Sequence, residues 1–301
     1  MERLLITLIL VCTMNNITNA QNPFYGQYHT PHEAVPFDRI ETEHYEPAIL
    51  EGIKLQNAEI EAIIQNPEKA DFTNTIEAFE ESGKLLDKVV AVFGNMLSAE
   101  TNDDLQELAQ KIMPLLSEHS NNITLNEKLF ARVKEVYNQK ETLQLTQEQK
   151  QLLENAYNSF IRHGANLEGE AREEYRRLTT ELSKLTLTFS ENNLKETNAY
   201  QMLLTKKESL AGLPEIIIEA AAETAKNEEK EGWAFTLHAP SYIPFMTYSD
   251  NRDLRQKLYM AYNTKCTHDN EFNNIDIVKK IANTRMKIAQ LLGYKDYAEY
   301  T

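Results

Sequence analysis

Glycine and proline are scarce in this chain, with 9 of each in 301 residues. So few turn-formers exclude a fold of many short strands joined by tight turns, and favour long helices. Cysteine is scarcer still: Cys12 and Cys266 are the two thiols, and Cys12 falls in a leader-like segment. A lone remaining thiol cannot close an internal disulfide, so export would not bring a disulfide framework. Positive charge is in deficit, Lys+Arg 31 against Asp+Glu 46, for a net charge of -15. That balance repels phosphate backbones and anionic lipid surfaces and argues against nucleic acid as a partner. The chain also lacks a GxSxG nucleophile elbow and a glycine-rich loop able to cradle a phosphate.

What is present begins with one apolar run, Leu4 to Cys12, preceded by Arg3 and followed by the polar stretch MNNITNA. The run is too short to span a bilayer of about 30 Å. It reads as a secretory signal with a small-residue cleavage site at Thr18-Asn19-Ala20, before Gln21. The expectation is an exported protein, periplasmic or extracellular, cleaved near Ala20. Lipid attachment at Cys12 is disfavoured because Val11 is bulkier than the residue such sites need.

Beyond the leader the periodicity is helical. Tyr45, Ile49, Ile53, Ile60 and Ile64 trace one apolar face over about 43 to 65, ended by Pro67. Asn74 and Glu77 have capping-box spacing, and Ile76, Phe79, Leu86, Val90, Phe93 and Leu97 mark a second, longer helix on which Gly83 would admit a close neighbour. Further helices are expected to open at Thr101 to Asp104 and at Thr146 to Gln149, the latter running to Gly164. A long amphipathic one covers about 168 to 196 through Tyr175, Leu178, Leu182, Leu185 and Phe189. After Asn198 the pattern shifts: AYQMLLT reads as a strand, Gly212-Leu213-Pro214 as a helix stop, and WAFTLHAPSYIPFMTYS as one or two strands broken by Pro240 and Pro244. Helix resumes at Ser249. Gly293 reads as a helix C-cap, and Asp296 as the N-cap of a further helix with Tyr297 and Tyr300. The fold class is therefore mostly α, long antiparallel helices with a small β segment around 199–247. The division is a leader (1–20), a helical domain (21–198) and a mixed segment (199–301).

Candidate chemistry is sparse. Zinc-binding helices place two histidines at i and i+4, and none of the seven histidines here has a histidine four residues on. His29 and His32 with Glu33 cluster in a proline-flanked segment and read as surface polar residues. Arg252, Arg255, Tyr259 and Tyr262 share helical spacing that would suit a ligand carboxylate, but equally suits helix-face pairing and packing. Cys266 has no activating histidine at helical spacing and reads as a structural thiol.

Several segments, taken in order, resemble the N-terminal half of the thimet oligopeptidase (M3) family of zinc metallopeptidases, in particular its bacterial peptidyl-dipeptidase branch. They are Asn22-Pro23-Phe24, Pro36 to Ile40, His44 to Ala48, Phe72 to Glu77 with Ser82 to Leu86, Gly212-Leu213-Pro214, the Trp233 strand, Arg252 to Tyr262, and Thr284-Arg285 through Leu291 to Tyr294. The resemblance implies a helical wall of a deep channel that admits short unfolded peptides and excludes folded proteins, in a monomeric enzyme with no membrane span. It also implies an HExxH helix and a downstream glutamate that hold zinc and activate water for release of C-terminal dipeptides. None of those catalytic positions occurs in this sequence. No catalytic, cofactor-binding or metal residue is nominated; zinc is expected in the full-length parent and not on this chain. The last element opens at Asp296 and stops one turn later, which reads as the front part of a longer enzyme, inactive alone. The alternative is a non-catalytic helical peptide-binding module.

Overall fold

Side-chain oxygens that accept the free N–H groups of a first turn start many of the helices here. Asn102 accepts from Leu105, Asn126 from Lys128 and Leu129, Thr146 from Gln149, Asn251 from Leu254 and Asp296 from Glu299. The computed structural model describes residues 22–301; the leader-like segment, with Cys12 and the expected cleavage site, lies outside the described residues. The helices are α1 (Thr42–Gln65), α2 (Lys84–Ala99), α3 (Asp103–Thr124), α4 (Glu127–Asn138), α5 (Gln147–Arg162) and α6 (Gly169–Ala199). Strand β1 (Gln201–Leu204) follows, then α7 (Glu215–Asn227), strand β2 (Trp233–Thr236), α8 (Ala239–Tyr248), α9 (Arg252–Asn263), α10 (Ile275–Leu291) and α11 (Tyr297–Tyr300). The fold is mostly α, with a single two-stranded antiparallel sheet among the described residues, Met202 opposite Phe235. The chain packs as two units, one ending at Ser183 and rejoined by Lys287–Thr301, the other Lys184–Met286.

In the first unit α1 and α2 approach closely at Gly52. A Cβ there would stand 2.9 Å from the Leu86 Cα and 3.0 Å from its N, so only glycine fits without moving backbone. One turn along, Gln56 reaches the Nε2 of buried His119 at 2.7 Å, and Glu59 accepts the Gly83 N–H at 2.8 Å. The N-terminal segment is strapped onto the same pair. Asn22 donates to the His44 carbonyl, Phe24 is fully buried against Tyr45, and Tyr45 in turn meets Phe93. Lys88 donates to the Gly26 carbonyl and lies over the Tyr28 ring. Behind α1, Ile63, Ile76, Leu129, Val133, Leu153 and Phe160 form a core shared by α1, α4 and α5. A further cluster joins Leu125, Tyr175, Leu178 and Ile288, and Arg162 holds the last turn by donating to the Tyr300 carbonyl at 2.7 Å and stacking on its ring.

Two expectations for this unit change. The helix read from Asn74 to Leu97 is broken: Phe72–Glu77 is a π-helical turn capped by Asp71, with Asn74 at its third position, and α2 starts afresh after Gly83. Gly83 sits at φ +80, so it ends one helical stretch and caps the next, and the close approach assigned to it belongs to Gly52. The third helix opens at Asn102, within the expected Thr101 to Asp104 stretch, while α4 is not expected from the sequence.

In the second unit Met202, Leu204, Phe235, Phe245 and Leu258 form the core, with the Phe235 and Phe245 rings edge to face at 4.6 Å. Gly212-Leu213-Pro214 follows the 3-10 turn Lys207–Leu210, with Gly212 at φ +86, and also starts a helix, since Pro214 is the N-cap of α7. Of WAFTLHAPSYIPFMTYS less is strand than expected. Only Trp233–Thr236 is strand; the Pro240 and Pro244 segment is helix α8, with Pro240 in its first turn where a missing N–H costs nothing.

Two measurements check the packing. Gly52→Ala adds a methyl group against backbone, an overpacking cost of about 1–3 kcal/mol that outweighs the ~1 kcal/mol propensity gain of alanine, so its urea midpoint falls. Gly94→Ala, in exposed helix with nothing within 4 Å of the new Cβ, gains about 0.5–1 kcal/mol and its midpoint rises. Burial holds the His119 pKa below its ordinary value. The unfolded chain therefore binds a proton that the folded one refuses, and stability falls as pH drops below about 6.5. His119→Gln should flatten that part of the stability profile, read by urea midpoints from pH 8 to 5.

Candidate functional site

Most of the histidines stand apart from one another, each with its own polar partner. His44 Nδ1 accepts from the Glu41 N–H, His119 is buried beside Gln56, and His163 Nδ1 lies 2.7 Å from the Ser159 carbonyl. His238 lies between Thr236 and Asn198. His29 and His32 are exposed on a short turn with positive φ, while Glu33 accepts the Tyr28 N–H at 2.9 Å and so serves the N-terminal strap. Among the described residues no group of three or more His, Cys, Asp or Glu side chains is placed to hold a metal ion. The donors that zinc requires are thus not assembled by these residues, and no catalytic step is assigned to them.

Cys266 is buried with φ +58 at the end of a turn. Its N–H donates to Glu196, its carbonyl accepts from Asn274, and buried Asn274 donates in turn to the Phe189 carbonyl at 2.9 Å. Burial, reinforced by the Glu196 carboxylate, pushes the thiol pKa up to about 11. A thiol so protonated at neutral pH is a structural group rather than a nucleophile.

Of Arg252, Arg255, Tyr259 and Tyr262, Arg255 and Tyr262 are engaged with other partners. The Arg255 guanidinium donates to the Ser249 carbonyl at the start of α9. Tyr262 stacks on Tyr242 with centroids 4.2 Å apart and carries Lys265 over its ring, while Tyr259 stays half exposed. Two concavities among the described residues are open to solvent. An open groove of about 940 Å³ runs between the starts of α1 and α3, floored by Pro47, Leu50 and Leu108 and closed at one side by the Glu46–Lys111 pair. Its carboxylates lie near helix N-termini, where negative charge offsets the helix dipole. A smaller one, about 470 Å³, lies beside Trp233, Leu210 and Ile218.

The distinctive surface is apolar and belongs to the second unit. Exposed large hydrophobics in the first unit are Phe37, Leu50 and Leu55; the second carries Phe189, Leu203, Ile216, Ile243, Tyr248, Tyr259, Met260, Tyr262, Ile275, Val278 and Met286. They are spread along the second unit from α6 to α10. From the sequence no apolar face is assigned to α10, where apolar residues recur in two helical phases.

A sequence model described as Peptidase family M3 matches residues 245–301. Dipeptidyl carboxypeptidase of Escherichia coli (strain K12) is 35% identical over 280 residues, which is 93% of this chain and 41% of that protein. Dipeptidyl carboxypeptidase of Salmonella typhimurium is likewise 35% identical over 93% of the chain, and Oligopeptidase A of Escherichia coli is 30% identical over 89% of it and 40% of its own length. The chain spans about two-fifths of the length of these relatives. No described helix is long and apolar enough to cross a membrane. Matched along nine-tenths of its length by these peptidases, and by the family's own sequence model over α9 and α10, the chain belongs to peptidase family M3.

Proposed function

We propose that this chain is the N-terminal part of an exported zinc metallopeptidase of the peptidyl-dipeptidase type, monomeric at full length and acting on short unfolded peptides. The observation that carries the reading is the match to dipeptidyl carboxypeptidase, which covers 93% of this chain but only 41% of the relative. The relatives' names supply hydrolysis of peptides. Their greater length leaves room for an HExxH helix and its zinc, groups for which the described residues offer no assembled donors.

In this reading residues 22–183 are scaffold. Their interlocked helices, held at Gly52 and Gln56, form one rigid wall of a channel narrow enough to exclude folded proteins. The wall contributes by restricting access and aligning an extended peptide, both of which act on binding rather than on bond cleavage. The second unit begins the peptidase module, in keeping with the family match from residue 245 and with its exposed apolar side chains. Zinc, when held by the remainder of the enzyme, would supply Lewis-acid activation of water and carbonyl. Export rests on the leader alone, and the mature chain would start at Gln21.

Two experiments test this. The 301-residue chain should release no dipeptide from a blocked oligopeptide and carry no stoichiometric zinc by elemental analysis. Extension along its own reading frame to the length of the relatives should restore both, with loss on chelation. Chelator-sensitive release by the 301-residue chain itself, or a reading frame without HExxH, contradicts the reading. Expression in a secreting bacterial host with N-terminal mass analysis should find Gln21 first; a retained Met1 would remove export from the account.

A further inference from the structure

The strap that begins at Asn22 is fastened at its very first residue. Asn22 is buried, and its side chain is used at both ends: the amide donates to the His44 carbonyl at 2.8 Å, and Oδ1 accepts the Phe24 N–H at 3.0 Å. Its backbone carbonyl accepts the Tyr25 N–H at 3.1 Å, closing a turn with Pro23 at the second position, the place proline favours. Phe24 is fully buried against Tyr45. Lys88 donates to the Phe24 and Gly26 carbonyls and lies over the Tyr28 ring. Residues 22–25 are thus turned, and pinned to α1 and α2.

The expected cleavage bond, Ala20–Gln21, lies outside the described residues, and in the sequence only Gln21 separates it from Asn22. A protease that takes its substrate as an extended chain pairs with backbone groups of several residues on both sides of the bond. Downstream of this bond those residues are Gln21 to Tyr25, and the strap commits Asn22 to Tyr25 to a turn and to the α1–α2 seam. The substrate form and the folded form compete for the same residues. We infer that the Ala20–Gln21 bond is a processing site open only while the strap is undocked: leader removal precedes closure of Asn22 to Tyr28, and a chain that folds first keeps its leader until the strap opens. Hydrolysis there consumes water and leaves the Ala20 carboxylate and the Gln21 amine. This rests on the export proposed above and adds an order of events to it.

The test is leader removal from the purified 301-residue chain by a bacterial signal peptidase in mild detergent, followed by intact-mass analysis. A second chain carries a spacer of about eight Gly and Ser residues, a flexible coil, between Gln21 and Asn22. The spacer moves the bond clear of the strap and touches no packed side chain. The folded native chain should be cut at least ~20-fold more slowly than the spacer chain, because it reacts only through local opening. Phe24→Ala, which loosens the strap, should recover part of that difference. Equal rates for the native and spacer chains overturn the inference and leave export intact, and so does a Phe24→Ala chain cut no faster than the native one. Cleavage of neither chain at Ala20 removes the export reading and the inference with it.

Discussion

The first unit depends on one close contact, the approach of α1 to α2 where Gly52 meets the Leu86 backbone. Packing at that distance leaves no room for a side chain, so the helix gives up the propensity a larger residue would bring in order to bring two backbones together. The consequences spread along α1 by helical turns. Gln56 and Glu59 share the Gly52 face, and their polar ends meet His119 and the Gly83 N–H, so the seam is apolar at one point and hydrogen-bonded at the next. Phe24 and Tyr45 close one end of it and the α4–α5 core backs the other. Segments that marked the family resemblance, from Asn22-Pro23-Phe24 to Phe72–Leu86, are the ones that build this seam. Their role here is architectural.

The second unit is put together differently. Its core of Met202, Phe235, Phe245 and Leu258 sits under helices that leave Tyr259, Met260, Ile275, Val278 and Met286 facing outward. Burial of a large apolar side chain contributes about 1.5–3 kcal/mol, and each of these forgoes part of that while exposed. A unit of this kind gains stability when another layer is added. The chain as a whole matches about two-fifths of the length of its peptidase relatives.

Much of the helical frame was legible from residues alone, because its signals are local. Thr146 with Gln149 and Asp296 announce helix starts by side chains that bond their own first turn, and the period of Tyr175 and Leu178 fixes the long α6. The errors fall where tertiary context overrides local preference. The prolines of α8 looked like strand breakers, yet one sits in a first turn and the segment is held by Phe245 in the core. The break at Gly83 hid within a continuous apolar period, since the π-helical turn before it keeps Ile76 and Phe79 inward. No apolar face is assigned to α10 from the sequence, because its apolar residues recur in two helical phases and hydrophobicity does not say which neighbour a side chain meets. The chemistry was legible chiefly by resemblance: no spacing of histidines or carboxylates in these residues points to a reaction.

The contrast between a self-sufficient first unit and an incomplete second one is tested most directly by native-state hydrogen exchange on the 301-residue chain. Amides of α1, α2, α4 and α5 should exchange only through opening near the global limit, whereas those of α9 and the first half of α10 should exchange through local openings at least ~30-fold more often. Equal protection of both sets would show that the second unit is already complete, and would contradict the account.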